Sequence, residues 1–304
     1  MTSLLDHAQQ GDVATMTDES KITSSVKLMS PQQLYELWER QPWSAHAIDL
    51  EPDKKHWSAL SSAQRDEILW VMSLFFIGEE RVTTQFSGLV MAYEDEQEES
   101  YLTTQQVDEA RHMQFFDRYY REVFAFDEPD IESRLTRVRE HLTEPFVALF
   151  DGSLVEAGHR LIADPSDRGA KVDFVTAYHM VIEGTLALTG QNFLTRYFEE
   201  KLQAFPGFVE GFGKISRDEH RHVAYGTWYL QRQAREPGMA ERIQSKLAEL
   251  LPIAAGVLVP PGYELGDDYV FLGFTSQEQT EFAFTALTRR LKVIGVSLPG
   301  AVAA

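Results

Sequence analysis

Apolar positions along most of the chain fall three and four residues apart, the period of a helix face, and no stretch alternates as a half-buried strand does. The segment SPQQLYELWER starts a helix, with Ser30 as N-cap and Pro31 at the first helical position. From about Trp57 to Tyr93 the helical spacing is interrupted only by Gly78 and Gly88, and the acidic run EDEQEES after it reads as a solvated connection. A second long helix is expected from about Leu102 to Phe124, ended by DEPD at Asp127–Asp130. Helical patterning then resumes to Ile162, with a restart at Thr143-Glu144-Pro145 and a turn at Ala163–Asp167. No proline occurs between Arg168 and Leu202, which predicts a helix on the order of 50 Å long. FPGF at Phe205–Phe208 restarts the chain into a helix ending near Arg235. VPPGYELG at Val259–Gly266 is irregular, and Ser276 with Gln279 suggests a capping box for a last helix. The pattern predicts an all-α protein, with residues 1–30 as a weakly specified arm and 31–304 as a single helical domain.

Composition narrows the chemistry. A formal net charge of −19 argues against nucleic acid or an anionic membrane as partner. The absence of cysteine removes disulfides, thiolate metal sites and thiol nucleophiles. The N-terminal stretch has neither a cationic start nor an apolar segment of signal-peptide length, and no apolar run would span a bilayer, so a cytoplasmic location is expected.

One five-residue word occurs twice: Asp108-Glu109-Ala110-Arg111-His112 and Asp218-Glu219-His220-Arg221-His222. In each, the Glu and His are three apart and share a helix face. On the preceding long helices lie Glu79, after the apolar run SLFFIG, and Glu183, in YHMVIEG. A carboxylate buried there is costly without a partner. Thirty residues separate Glu79 from Glu109 and thirty-six separate Glu183 from Glu219, distances suited to antiparallel helix hairpins. Glu, Glu-x-x-His, Glu, Glu-x-x-His is the di-metal ligand order of a ferritin-like four-helix bundle. Four carboxylates and two imidazoles suit iron or manganese, and simple affinity order favours iron. A third pair, Glu156 and His159, lacks the Asp and the Arg, contains Gly158, and is read as a surface or packing feature. Asp108 and Asp218 are placed to reach the histidine of the opposite half; for Asp108, an acidic partner for an arginine is an equal alternative.

These motifs resemble the small-subunit family of ribonucleotide reductase over roughly residues 40–230. The resemblance implies that Trp43, in WSAHAIDL, joins Asp218 and His112 as an electron-entry route, against the alternative of an ordinary core or interface aromatic. Two features depart from the radical-storing members. Phe116 stands where they carry a tyrosine, and the ending RRLKVIGVSLPGAVAA has no tyrosine, tryptophan or acidic residue, so no large reductase subunit is expected as partner. The chain is more similar to the manganese/iron ligand-binding oxidases of the same superfamily. That resemblance implies one manganese, held by Glu79, Glu109 and His112, and one iron, held by Glu183, Glu219 and His222. It makes Glu109 the bridge and leaves a di-iron form as an alternative. It further implies a long-chain fatty acid at the metals, a homodimer, O₂ as co-substrate, and an ether cross-link between Tyr178 and Val82, which occupy the matching positions. The small residues of EGTLALTG leave room for an acyl tail or serve close helix packing. A ribonucleotide reductase small subunit and a non-catalytic metal store or ligand carrier are the alternative functions.

Overall fold

The computed structural model describes residues 21–298. Helices dominate: α1 (Pro31–Glu39), α2 (Glu51–Ala59), α3 (Ser62–Met91), α4 (Glu96–Glu122), α5 (Ile131–Val138), α6 (Glu144–Val147), α7 (Val155–Ala163), α8 (Arg168–Val175), α9 (Leu188–Arg196), α10 (Pro206–Gln233), α11 (Met239–Val257) and α12 (Ser276–Ile294). The fold is a ferritin-like bundle with added helices. Its core pairs α3 with α4, and α10 with the helical stretch that α8 begins. Among the described residues the sheet is one hairpin, β1 (Val270–Phe271) and β2 (Phe274–Thr275), and no helix is long and apolar enough to cross a membrane.

Caps explain most boundaries. Ser30 and Gln33 form a capping box at α1, as do Ser61 and Gln64 at α3. The latter divides the stretch expected to run unbroken from Trp57. The acidic connection expected before Leu102 is instead the first turn of α4. Asp95 caps it by accepting from Gln97 N and Glu98 N, and Glu96, Glu98 and Glu99 favour the positive end of the helix dipole. The last helix is capped by Thr275 with Glu278, one residue before the box read from sequence. α11 was not among the expected elements; Pro252 lies inside it, while Ile243, Leu247, Leu250 and Ala254 form its buried face. Of the expected arm, residues 1–20 lie outside the described residues; the next ten pack on the bundle, where Ile22 is buried against Val293 and Gln231 Nε2 donates to Ser24 O and Val26 O.

From Arg168 to Leu202 the chain is continuously helical, but Thr176–Ala187 and Tyr197–Leu202 are π-helical. The wider turn of the first segment carries Tyr178, His179 and Glu183 into the bundle, and Thr185 Oγ1 reaches back five residues to Met180 O at 2.7 Å. Gly226 lets α10 approach this segment, because a Cβ there would lie 2.2 Å from His179 Cβ. A similar crossing joins α3 to α7, where a Cβ on Gly88 would lie 2.8 Å from Gly158 O. Gly158, inside the third Glu-x-x-His, is therefore a packing residue.

Candidate metal centre

The bundle interior brings Glu79 (α3), Glu109 and His112 (α4), Glu183 (the π-helical segment) and Glu219 and His222 (α10) together, each no more than 6% exposed. Their ligand atoms form two overlapping groups, each with all its atoms within 4.8 Å of one another. One is Glu79, Glu109, His112 and Glu219; the other is Glu109, Glu183, Glu219 and His222. Glu109 and Glu219 belong to both. Glu156 and His159 are exposed on α7 and take no part.

His112 Nδ1 lies 3.5 Å from Glu79 Oε2, Glu109 Oε2 and Glu219 Oε1. His222 Nδ1 lies 2.9 Å from Glu109 Oε1 and 3.3 Å from Glu183 Oε1. On the far side of each ring is an aspartate: His112 Nε2 is 3.4 Å from Asp218 Oδ2, and His222 Nε2 is 3.3 Å from Asp108 Oδ2. An Nε2–H aimed at each carboxylate leaves each Nδ1 with a free lone pair facing the carboxylate cluster. Both Nδ1 atoms, with Glu183 Oε2 and Glu219 Oε2, are buried without a hydrogen-bond partner. Unpartnered acceptors converging on one point suit a pair of divalent ions, and four carboxylates supply the charge to balance them.

Electrostatics point the same way. Burial pushes the Glu79 carboxyl up to about 8. Burial, with the charge of Glu219, holds Glu183 well above the usual carboxylate range. Burial also works against an ionised Glu109, but the charges of His222 and His112 beside it outweigh burial and hold this carboxyl low. Both histidines lie well above the usual imidazole range because the surrounding carboxylates outweigh their desolvation. Protons therefore occupy the centre where cations are wanted, and metal uptake must release them.

The repeated word also organises the outer layer. Trp43 Nε1 donates to Asp218 Oδ2 at 2.6 Å, and its ring stacks on His112 at 6.3 Å. Trp38 Nε1 donates to Asp108 Oδ1 at 2.9 Å in the opposite half. Arg221, 1% exposed, bridges the two aspartates, at 2.9 Å from Asp108 Oδ2 and 2.6 Å from Asp218 Oδ1. Asp108 thus fills both roles that sequence left open. Sequence reasoning missed Trp38 and Gln105; the signal for Trp38 was a second tryptophan five residues before Trp43, one for each copy of the word. Gln105 Nε2 lies 3.4 Å from Tyr178 Oη and from Glu183 Oε1.

Tyr178 donates its phenol to Glu109 Oε1 at 2.6 Å. Val82 lines, with Glu79, Glu109, Glu183 and Glu219, a cavity of about 60 Å³ beside the centre. Leu186 and Leu258 separate this cavity from a larger groove of about 670 Å³ towards α12. Phe116 packs in an aromatic cluster, 5.8 Å from Phe75 and 6.0 Å from Phe212.

Residues 25–255 match the family model of the ribonucleotide reductase small chain. An R2-like ligand-binding oxidase with aerobically reconstituted Mn/Fe cofactor is 25% identical, with a TM-score of 0.72 over 86% of this chain and 92% of that one. A mutant of an R2-like ligand-binding oxidase, also with aerobically reconstituted Mn/Fe cofactor, matches at 25% identity and TM-score 0.72 over 88% and 94% of the two chains. The R2-like ligand-binding oxidase from Sulfolobus acidocaldarius shares the fold at 24% identity, with a TM-score of 0.72 over 88% and 92%.

Proposed function

The chain belongs to the ribonucleotide reductase small-chain family, and from that premise we propose that it is an O₂-activating manganese/iron oxidase, acting as a homodimer, that binds a long-chain fatty acid beside its metals. Glu79, Glu109 and His112 would hold one ion and Glu183, Glu219 and His222 the other, with Glu109 between them. When bound, the metal pair supplies a site for O₂ and two of the four electrons that reduction to water takes. The rest falls to the chain. Asp218 and Asp108 keep the two imidazoles in the metal-binding tautomer, and Trp43 provides an electron route at Asp218. The apolar walls around Val82, Phe146 and Phe150 exclude water from the pocket.

The observation that carries the oxidase reading is the position of the phenol. Position 116 is a phenylalanine among other rings, whereas Tyr178 is hydrogen-bonded to Glu109 in the centre itself. Tyr178 and Val82 are the pair we assign to the cross-link. The Val82 Cβ–H and Tyr178 O–H bonds break and a Cβ–O bond forms. This releases two protons and two electrons, which complete the four that O₂ needs; Glu109 is placed to accept the phenolic proton. Two trivalent ions would outweigh the charge of the four carboxylates, and a fatty-acid carboxylate suits that end of the pocket. Its tail needs more room than about 60 Å³, and the larger groove lies past Leu186 and Leu258.

Anomalous scattering at the manganese and iron edges, with peptide mass spectrometry after aerobic loading, tests the proposal. Both metals, a chain lighter by two hydrogens and linked Tyr178 and Val82 peptides are expected, with no link after anaerobic loading or in Tyr178→Phe. Release of fatty acid on denaturation tests the ligand. Unlinked peptides after aerobic loading with both metals present would remove the case for the cross-linking oxidase.

A further inference from the structure

Beyond His222, α10 runs into buried groups for which the metal centre has no evident use. Tyr225 is wholly buried and donates its phenol to Glu98 Oε1 at 2.6 Å. Glu98 in turn is held by Lys171, whose Nζ lies 3.0 and 2.9 Å from its two oxygens and 4.6 Å from the Tyr229 ring centre. A buried ion pair alone is weak evidence of anything but local charge balance. The rings on either side set this one apart. Tyr178, whose phenol is on Glu109, is centred 4.6 Å from His179; His179 is 5.3 Å from Tyr225; and Tyr225 is 5.9 Å from Trp228. Trp228 is half-buried, lines a surface recess with Lys27, Ser30 and Arg235, and lies under the Arg232 guanidinium at 4.6 Å. A continuous series of rings therefore joins the centre to the surface, and Tyr225 has a carboxylate outside the candidate metal ligands.

That carboxylate matters because a buried phenol gives up an electron readily only if its proton can leave with it. Burial, reinforced by the charge of Glu98, pushes the Tyr225 phenol well above its usual range, so the free phenolate is closed to it. The short hydrogen bond to Glu98 offers the proton a place to go without crossing apolar protein, and the Lys171 ammonium balances the local charge.

We propose that Tyr225 is a redox-active tyrosine, with Glu98 as its proton acceptor, through which oxidising equivalents leave the metal pocket for the surface at Trp228. The proposal rests on the O₂-reducing function above. Tyr225 gives one electron to the O₂-oxidised centre by way of His179 and Tyr178, and its O–H proton to Glu98; the centre is reduced by one electron. A one-electron reductant of the ascorbate class then returns an electron at Trp228, is itself oxidised by one, and the proton goes back from Glu98 to Tyr225. Such an outlet drains the centre when the Tyr178 and Val82 pair does not supply the electrons.

The chain has no cysteine, so Arg235→Cys creates a unique attachment point beside Trp228 for a ruthenium tris-bipyridyl photo-oxidant. Flash-quench oxidation of the labelled, metal-free protein is expected to give a neutral tyrosyl radical by electron paramagnetic resonance. Tyr225→Phe and Glu98→Gln should each lower its yield at least tenfold, and Tyr229→Phe should not. During aerobic metal loading, freeze-quenched samples should show a tyrosyl signal that Tyr225→Phe removes. The proposal is overturned by the absence of a radical in the labelled protein, or by one that survives Tyr225→Phe. It is also overturned if metal-loaded protein consumes O₂ without any signal dependent on Tyr225. Absence of O₂ uptake would sink the oxidase function instead, and the flash experiment would still decide Tyr225 on its own.

Discussion

The two aspartates of the repeated word offer a direct test of how the centre is supported. Asp218 is fully buried; it takes the Trp43 indole at 2.6 Å and Arg221 at 2.6 Å, and lies 3.4 Å from His112 Nε2. In Asp218→Ala, Arg221 keeps Asp108 at 2.9 Å, but a guanidinium 1% exposed loses one of two carboxylates. Breaking a buried pair by removing one partner costs about 3–5 kcal/mol. The retained Asp108 places the expected loss at the lower end, about 3 kcal/mol, or roughly 5 °C in Tm for a chain of this size. Metal binding should respond by half-site. Loss of an outer carboxylate on a ligand histidine lowers affinity about 10–100-fold, so Asp218→Ala should empty the His112 position first. Asp108→Ala should empty the His222 position first, since Asp108 Oδ2 faces that ring at 3.3 Å. Differential scanning calorimetry of metal-free protein gives the first quantity. Anomalous scattering from crystals equilibrated with limiting metal gives the second, position by position. Equal loss at both positions in each variant, or the reverse pairing, would refute the cross-bundle assignment of aspartate to histidine.

The Glu79 carboxyl, raised to about 8, and Glu183, held well above the usual carboxylate range, bind protons more tightly folded than unfolded. Their contribution is complete below the unfolded value near 4.5 and is lost as pH rises through about 8, so metal-free protein should melt several degrees lower at pH 8 than at pH 5.5; a flat or rising Tm over that window contradicts the electrostatics. Gly226→Ala would put a Cβ 2.2 Å from His179 Cβ and should cost about 1–3 kcal/mol by overpacking. Gly213→Ala, with nothing within 4 Å, should stabilise α10 by about 0.5–1 kcal/mol, and thermal melts of the pair check both signs. Glu156→Ala and His159→Ala lie on an exposed face and should leave metal content unchanged by elemental analysis, whereas Glu109→Ala, common to both ligand groups, should lose most of both ions.

Sequence alone determined the helical class and the ligand-bearing candidates, because helical period and capping chemistry are local. A Glu and a His three apart share a face whatever surrounds them, and the duplicated word, with one glutamate on each preceding helix, made six candidate ligands legible, four Glu and two His. Local reading went astray where a local rule had a close competitor. Glu96–Ser100 looks like a solvated loop until Asp95 is recognised as a cap, and Ser276 competes with Thr275 for the same role. The π-helical turns at Thr176–Ala187 left no mark, since their widened hydrogen-bond rings are fixed by packing against α10 and α11 rather than by residue type. Only tertiary structure decided which aspartate serves which histidine, that Trp38 mirrors Trp43, and that Glu98, Lys171 and Tyr225 meet. Those contacts join residues 70 to 175 positions apart, from the Trp38–Asp108 bond to the Trp43–Asp218 bond. Charge at such separations has no period to read; burial of the bundle makes each polar group find a partner, and the crossing of the helices decides which one it finds.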